Sequence, residues 1–334
     1  MVPMANPDRI PPPKRGQKHR VVQFDPDTTA ADRVHLLRER EIQAVNAAIA
    51  AGRPLLVRGE PGIGKSQLAR AAAKGLGRAY LRHVIDSSTE SRDLMWSFDA
   101  VQRLADAQLA GALGQNLAEV RQELAVEKYL RPGPLWWAFD WADAAAQCVT
   151  ASAPVPPLPD GGDPANGCVL LLDEIDKAES EVPNGLLEAL GNRQFTPFGQ
   201  TGPVSVADRV PLIIITTNEE RALPDAFLRR CLVLALTLPT GETELIDFLA
   251  ERGKAHFPDL PDQVRIEAAR MLHEDRQAAA AAQIVPGPGQ AEYLDLLRAV
   301  RALAGGAAKQ QLAMLAKVRE YTLQKHVTPA SAAE

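Results

Sequence analysis

The sequence predicts an α/β fold, an αβα sandwich around a parallel sheet, followed by a small all-helical domain. Three observations lead there. Short apolar runs at Leu55–Val57, Val169–Leu172 and Leu212–Ile215 are separated by segments rich in helix formers. That alternation is how a parallel sheet buried on both faces reads. Each run ends in glycine-rich or polar residues, and strand ends are where an α/β sheet places its chemistry. From Glu242 onward the pattern is helical and no convincing strand remains.

The elements follow in order. Residues 1–20 hold Pro11-Pro12-Pro13 with Lys14, Arg15, Lys18 and Arg20. So little apolar surface predicts a disordered basic arm. Val34 to Ala50 reads as one helix, with Val34, Leu37, Val45 and Ile49 apolar, ended by Gly52 and Pro54. Leu55-Leu56-Val57 is a buried strand, Gln67 to Lys74 a helix, and Tyr80 to Ile85 a second strand. An insert then spans about 86–132, in which Asp99 to Lys128 fits no single pattern. Arg131 to Pro134 is a turn, and Leu135 to Gln147 a single helix carrying Trp136, Trp137 and Trp141. Ala151 to Gly167 is a Pro- and Gly-rich loop, expected to be exposed and mobile. Strand Val169–Leu172, helix Val182–Leu190 with Pro183 in its first turn, strand Leu212–Ile215 and strand Cys231–Leu236 complete the α/β part. Pro239 marks the change, so the expected division is a core over 21–238, a helical domain over 239–327 and a disordered tail over 328–334.

Bulk properties narrow the function classes. With 46% hydrophobic and 24% charged residues the chain builds a packed core. Its formal net charge of -5 argues against a surface that coats nucleic acid. Cys148, Cys168 and Cys231 are widely spaced and odd in number, which supports neither a disulfide framework nor a zinc site. No apolar run reaches the length of a membrane span and the N-terminus lacks a signal-peptide core, so a cytoplasmic protein without membrane contact is expected. The six histidines form no ligand-like cluster.

The most specific motif is Gly59-Glu60-Pro61-Gly62-Ile63-Gly64-Lys65-Ser66, which matches G-x-x-x-x-G-K-[ST] between a strand and a helix starting near Gln67. Such a loop aims backbone N–H groups and a helix N-terminus at an anion. Lys65 would reach the β- and γ-phosphates of a nucleotide, and Ser66 would ligate Mg²⁺. Leu170-Leu171-Leu172-Asp173-Glu174 is a strand ending in two acids: Asp173 to hold Mg²⁺, Glu174 to orient and deprotonate water. Ile213-Ile214-Ile215-Thr216-Thr217-Asn218 ends likewise in polar groups, with Asn218 placed for the γ-phosphate or the water. Arg229 and Arg230 precede the last strand and suit charge spread over a transferring phosphoryl group, or else form surface ion pairs.

In combination these motifs resemble the AAA+ ATPases, in detail the MoxR branch. The similar phrases are GEPGIGKS, RDLMWSFDA, YLRPGPLWWAF, LLLDEIDKAESEVPNGLLEAL, TTNEERALPDAFLRR and PGQAEYLDLLRAV, across roughly residues 34–303. The resemblance implies ATP and Mg²⁺ as cofactors and a ring, usually hexameric, with nucleotide between subunits. By it, Lys65 and Ser66 are the Walker A pair, Asp173 and Glu174 the Walker B pair and Asn218 the first sensor. Arg230 matches the arginine finger, with Arg229 in reserve. The 86–132 insert would touch clients, and a partner with a von Willebrand A domain is implied. One departure stands out. The lid's second sensor is normally basic, whereas this chain reads Pro286-Gly287-Pro288-Gly289-Gln290-Ala291, and Arg298 lies further along the helix.

Three functions follow. The first is an ATP-driven remodeler of a client protein. The second is a nucleotide-gated scaffold with little hydrolysis, motivated by the missing lid cation. The third is a nucleic-acid motor of the McrB type, a class that includes GTP users, with the basic arm as its only support. Trp137 and Trp141 are expected to share a helix face and pack on the sheet rather than bind a partner.

Overall fold

The computed structural model describes residues 6–25, 34–113 and 116–324. Its compact units number two, and they interleave along the chain. The first draws on Met1–Pro12, Glu39–Val57 and Ala69–Leu234; the second on Pro13–Arg38, Arg58–Leu68 and Ala235–Glu334.

In chain order the elements begin with β1 (His19–Gln23), β2 (Val34–Arg38), α1 (Glu39–Ala51), β3 (Leu55–Arg58), α2 (Lys65–Leu76) and β4 (Arg78–Val84). The insert holds β5 (Trp96–Phe98), α3 (Ala100–Ala112), α4 (Leu117–Glu123) and β6 (Leu130–Pro132). After it come α5 (Pro134–Phe139), α6 (Trp141–Thr150), β7 (Asp163–Asp173), α7 (Glu181–Asn192), β8 (Gln194–Phe195) and β9 (Val204–Ser205). Then follow β10 (Leu212–Thr217), α8 (Asp225–Leu228) and β11 (Leu232–Ala235), and last α9 (Glu242–His256), α10 (Asp262–Ala281), α11 (Gln290–Leu303) and α12 (Ala308–Thr322).

The first unit is built on a five-stranded parallel sheet of order β11-β3-β10-β7-β4. The apolar runs sit in register: Leu212 to Ile215 pair with Val169 to Leu172, and Tyr80 to His83 with the same four residues from the other side. Every residue of β10 is buried, as are the last six of β7. A strand covered on both faces needs β-branched and leucine side chains throughout, and that is what these runs supply. Trp136, Trp137, Phe139, Leu186 and Phe227 join the core on this sheet. The Trp137 and Trp141 rings meet edge to face with centroids 5.0 Å apart.

The second unit is helical. Tyr293, Leu296 and Leu297 of α11 are fully buried with Leu249 of α9, Leu272 of α10 and Leu315 of α12. The switch from strands to helices beyond β11 matches the expected helical region. No helix among the described residues is long and apolar enough to cross a membrane.

Several sequence expectations are corrected. Val34 to Ala50 is not one helix: Val34–Arg38 is β2, antiparallel to β1, and the helix starts at Glu39. Pairing with β1 overrides the helical spacing of Val34 and Leu37. The 1–20 arm is not free over its described part. Ile10 is fully buried, its N–H donates to Asn46 Oδ1 at 2.8 Å, and its carbonyl accepts from Asn46 Nδ2 at 2.9 Å. Arg78 Nε also donates to the Pro7 carbonyl at 2.8 Å. One buried isoleucine with satisfied backbone groups holds a segment whose composition reads as solvated. Residues 1–5 and the 328–334 tail lie outside the described residues.

The helix over 135–147 breaks at Asp140, whose φ of -143° is extended and whose carboxylate caps α6 by accepting from the Asp143 N–H at 2.9 Å. The 151–167 loop is tied down as well. β7 begins at Asp163, and Asp160, with a side chain only 4% exposed, accepts from Arg70 of α2 at 2.6 and 3.2 Å. The turn at 131–134 gives Arg131 and Pro132 to a short ladder with β5 and places Pro134 in the first turn of α5.

Candidate active site

The phosphate-binding motif forms a loop directly after β3, and α2 starts at Lys65. The loop demands glycine where the chain turns left-handed. Gly62 has φ 75° and Gly64 φ 101°. A Cβ built on Gly62 would lie 2.6 Å from the Ala291 Cβ, and one on Gly64 would lie 3.5 Å from His35 Cε1 and 3.7 Å from Gln290 Nε2. Lys65 is 7% exposed, and its ammonium donates to the carbonyls of Gly59 at 2.6 Å and Glu60 at 3.1 Å. The lysine head is thus held at the loop's own edge.

The start of α11 borders this loop. Gln290 is buried, and its Oε1 has no hydrogen-bond partner. Burial, with Arg252, His256 and Arg38 near, pushes the His35 imidazole down to about 3, so it is neutral beside Gly64. Arg276 of α10 grips Glu60 with two bonds, Nη1 to Oε2 at 2.9 Å and Nη2 to Oε1 at 3.0 Å. Its Nη1 also donates to the Pro288 carbonyl at 2.9 Å. Arg298, the basic residue on α11 considered above, instead pairs with Asp295 on its own helix.

In the first unit, β7 and β10 are neighbours and parallel, so Asp173 and Thr216-Thr217-Asn218 leave the same sheet edge. The structure brings them together. Thr216 Oγ1 donates to Asp173 Oδ1 at 2.6 Å and accepts from the Glu174 N–H at 2.9 Å. Glu174 itself is left-handed, with φ 63° and ψ 51°. That conformation costs a non-glycine residue roughly 1–2 kcal/mol, a cost met at functional sites where neighbours impose it. Asn218 Nδ2 reaches Glu174 Oε1 at 3.5 Å, and the Asn218 N–H donates to Asp176 Oδ2 at 3.2 Å. Asp176, 1% exposed, also accepts from the Glu220 N–H at 3.0 Å and thereby fixes the turn that carries Asn218.

Two contributors escaped the sequence reading. Asp176 lies inside the LLLDEIDK phrase, and only the register of β7 with β10 shows that it holds the turn after β10. Arg82 of β4 donates to Asp173 Oδ2 at 2.8 and 3.1 Å, a contact set by the β4–β7 pairing. Arg229 and Arg230 are not brought to this cluster. Both are exposed after α8, and Arg230 Nη1 donates to the Ala226 carbonyl at 3.2 Å.

Within each unit, the groups present have the chemistry that a metal-bound nucleotide requires. Asp173 is an acceptor-only carboxylate at a strand end, the ligand chemistry a hydrated divalent cation prefers. The left-handed glycines give the loop the turn that a phosphate-binding backbone needs.

Comparison with known proteins agrees. The model of the AAA domain, dynein-related subfamily, matches residues 54–231, more than half of the chain. A search of curated proteins finds no match. Among solved structures, a Cytophaga hutchinsonii protein provisionally assigned as an ATPase is 14% identical, with 85% of this chain and 79% of that chain covered and a TM-score of 0.37. At that score the likeness bears no weight, and the family match alone decides. The chain belongs to the AAA domain family of the dynein-related subfamily and is an AAA+ ATPase.

Proposed function

We propose that this ATPase binds Mg-ATP and uses hydrolysis to remodel or mature a partner protein, as a MoxR-like member acting in a hexameric ring with a von Willebrand A domain partner. The observation that carries the hydrolytic part is the bonded cluster of Asp173, Thr216, Glu174 and Asn218 at two adjacent strand ends. In this reading the backbone of Gly59–Gln67 receives the phosphates and Lys65 supplies the cation. Ser66 and Asp173 would hold Mg²⁺, whose charge offsets that developing on the phosphoryl oxygens. Glu174 orients water and takes its proton, and Asn218 positions the Glu174 carboxylate. Residues 21–238 serve as the core and 239–327 as the lid.

The ring and partner rest on the MoxR-like phrases across 34–303 and on the exposure of Arg229 and Arg230. Exposed arginines suit a role in a neighbouring subunit's site, with Arg230 as the finger. Native mass measurement with and without Mg-ATP tests this. A hexamer-sized species that forms with nucleotide, and ATPase activity lost in Arg230→Ala, are the expected results. A single-chain mass in both conditions would remove the ring from the reading.

A second reading, a nucleotide-gated scaffold, is favoured by Gln290 standing where α11 would carry a basic group. Robust ATP turnover by the isolated chain excludes it.

A further inference from the structure

Glu60 poses a physical problem. It places a carboxylate in a loop that, on the reading above, must receive a triphosphate. Like charges oppose one another, and a charge near the ligand weakens binding even when it touches nothing. The structure shows what answers it. The Arg276 guanidinium meets Glu60 fork to fork, at 2.9 and 3.0 Å, and keeps a third bond, to the Pro288 carbonyl at 2.9 Å. Bidentate pairing of this kind is the strong, directional form of the arginine–carboxylate contact. Arg276 is itself only 24% exposed, while the Glu60 carboxyl is 42% exposed. The arginine is thus the more buried partner, and the carboxylate keeps part of its surface in solvent.

We infer that Arg276 is a positioning residue for the nucleotide: it cancels the Glu60 charge and fastens the segment before α11 to the phosphate loop. Neither Arg276 nor the pairing is visible in the motif, because 216 residues separate the partners. In this way the lid delivers a cation to the loop although α11 begins with Gln290. The cation acts on the loop's own carboxylate, and it comes from α10.

The inference rests on triphosphate binding by the loop, and one experiment separates the two. Equilibrium binding of ATP, and of adenosine as a ligand without phosphate, is measured for the full chain. The variants are Arg276→Gln, Glu60→Gln and the pair together. Arg276→Gln should weaken ATP about tenfold, the scale of one unshielded charge near a polyanion, and leave adenosine within about twofold. Glu60→Gln should bind ATP at least as tightly as the parent, since it removes the repelling charge. The double variant should recover to within about threefold of the parent. If the double variant is as weak as Arg276→Gln, or if Glu60→Gln alone loses more than threefold, charge masking is wrong and the pair is merely structural. The Glu60→Gln arm decides even if Arg276→Gln does not fold. Failure of the parent to bind ATP would instead defeat the nucleotide reading itself.

Discussion

Gly62→Ala probes the phosphate loop with a single methyl group, and its cost can be worked from the geometry. Gly62 has φ 75°, a left-handed conformation that an alanine adopts at a cost of about 1–2 kcal/mol. The added Cβ would stand 2.6 Å from the Ala291 Cβ, against an ordinary carbon–carbon contact of about 3.5–4.0 Å. Neither methyl has a rotamer in which to retreat, so the loop or the first turn of α11 must move by about 1 Å. Overpacking of that size costs about 1–3 kcal/mol. The sum is about 2–5 kcal/mol, divided between stability and ligand binding. ATP affinity should fall about 10- to 100-fold in an equilibrium titration, and the urea midpoint should drop. Ala291→Gly supplies the control. With that methyl gone, the nearest remaining atoms are the Ala291 N and Cα at 3.6 and 3.7 Å, ordinary contacts. The double variant should regain the steric part and keep only the backbone part. Parent-like affinity and midpoint in Gly62→Ala would refute the reasoning. An absence of any rescue by Ala291→Gly would show that the Ala291 contact is not the source.

Two further perturbations test other parts. Asp160→Ala strips two charge-assisted bonds from Arg70, whose side chain is only 12% exposed. The loss should be about 3–5 kcal/mol in denaturant unfolding, and a change below about 0.5 kcal/mol would mean the 151–167 loop is not anchored there. Acidification should destabilise the second unit, because burial pushes His35 down to about 3 and His256 down to about 4. For a histidine held below its ordinary value of 6.5, the unfolded chain binds the extra proton. Stability is then complete above pH 6.5 and declines as pH falls toward the folded values, by at most about 1.4 kcal/mol per pH unit for each group. Thermal melts from pH 7.5 to 5 check this. His35→Gln should flatten the profile, and an unchanged parent melting point across that range would contradict the assignment.

What the sequence revealed follows from where each chemistry resides. The loop from Gly59 to Ser66, the Asp173-Glu174 pair and Thr216-Thr217-Asn218 are each contiguous and sit at strand ends, so spacing alone exposes them. Arg82, Asp176 and Arg276 act through other residues from other segments, and only strand register or helix packing reveals them. Local structure went astray for similar reasons. Val34–Arg38 carries a helix-compatible spacing but finds a strand partner in β1. Asp140 is read as an interior helix position until its cap on α6 is seen. Ile10 is one apolar residue in a proline-rich segment, a signal too small for composition to register, although its burial orders the chain around it.

Hydrolysis is assigned to Glu174, the residue that follows β7. Its carboxylate is assigned to water and its backbone to the Thr216 bond, so a change of charge at the side chain should spare the fold. Phosphate release and ATP binding measured side by side on Glu174→Gln give the most direct test. Binding within about threefold of the parent, with turnover down by about 100-fold or more, is the expected result. Undiminished phosphate release would contradict it.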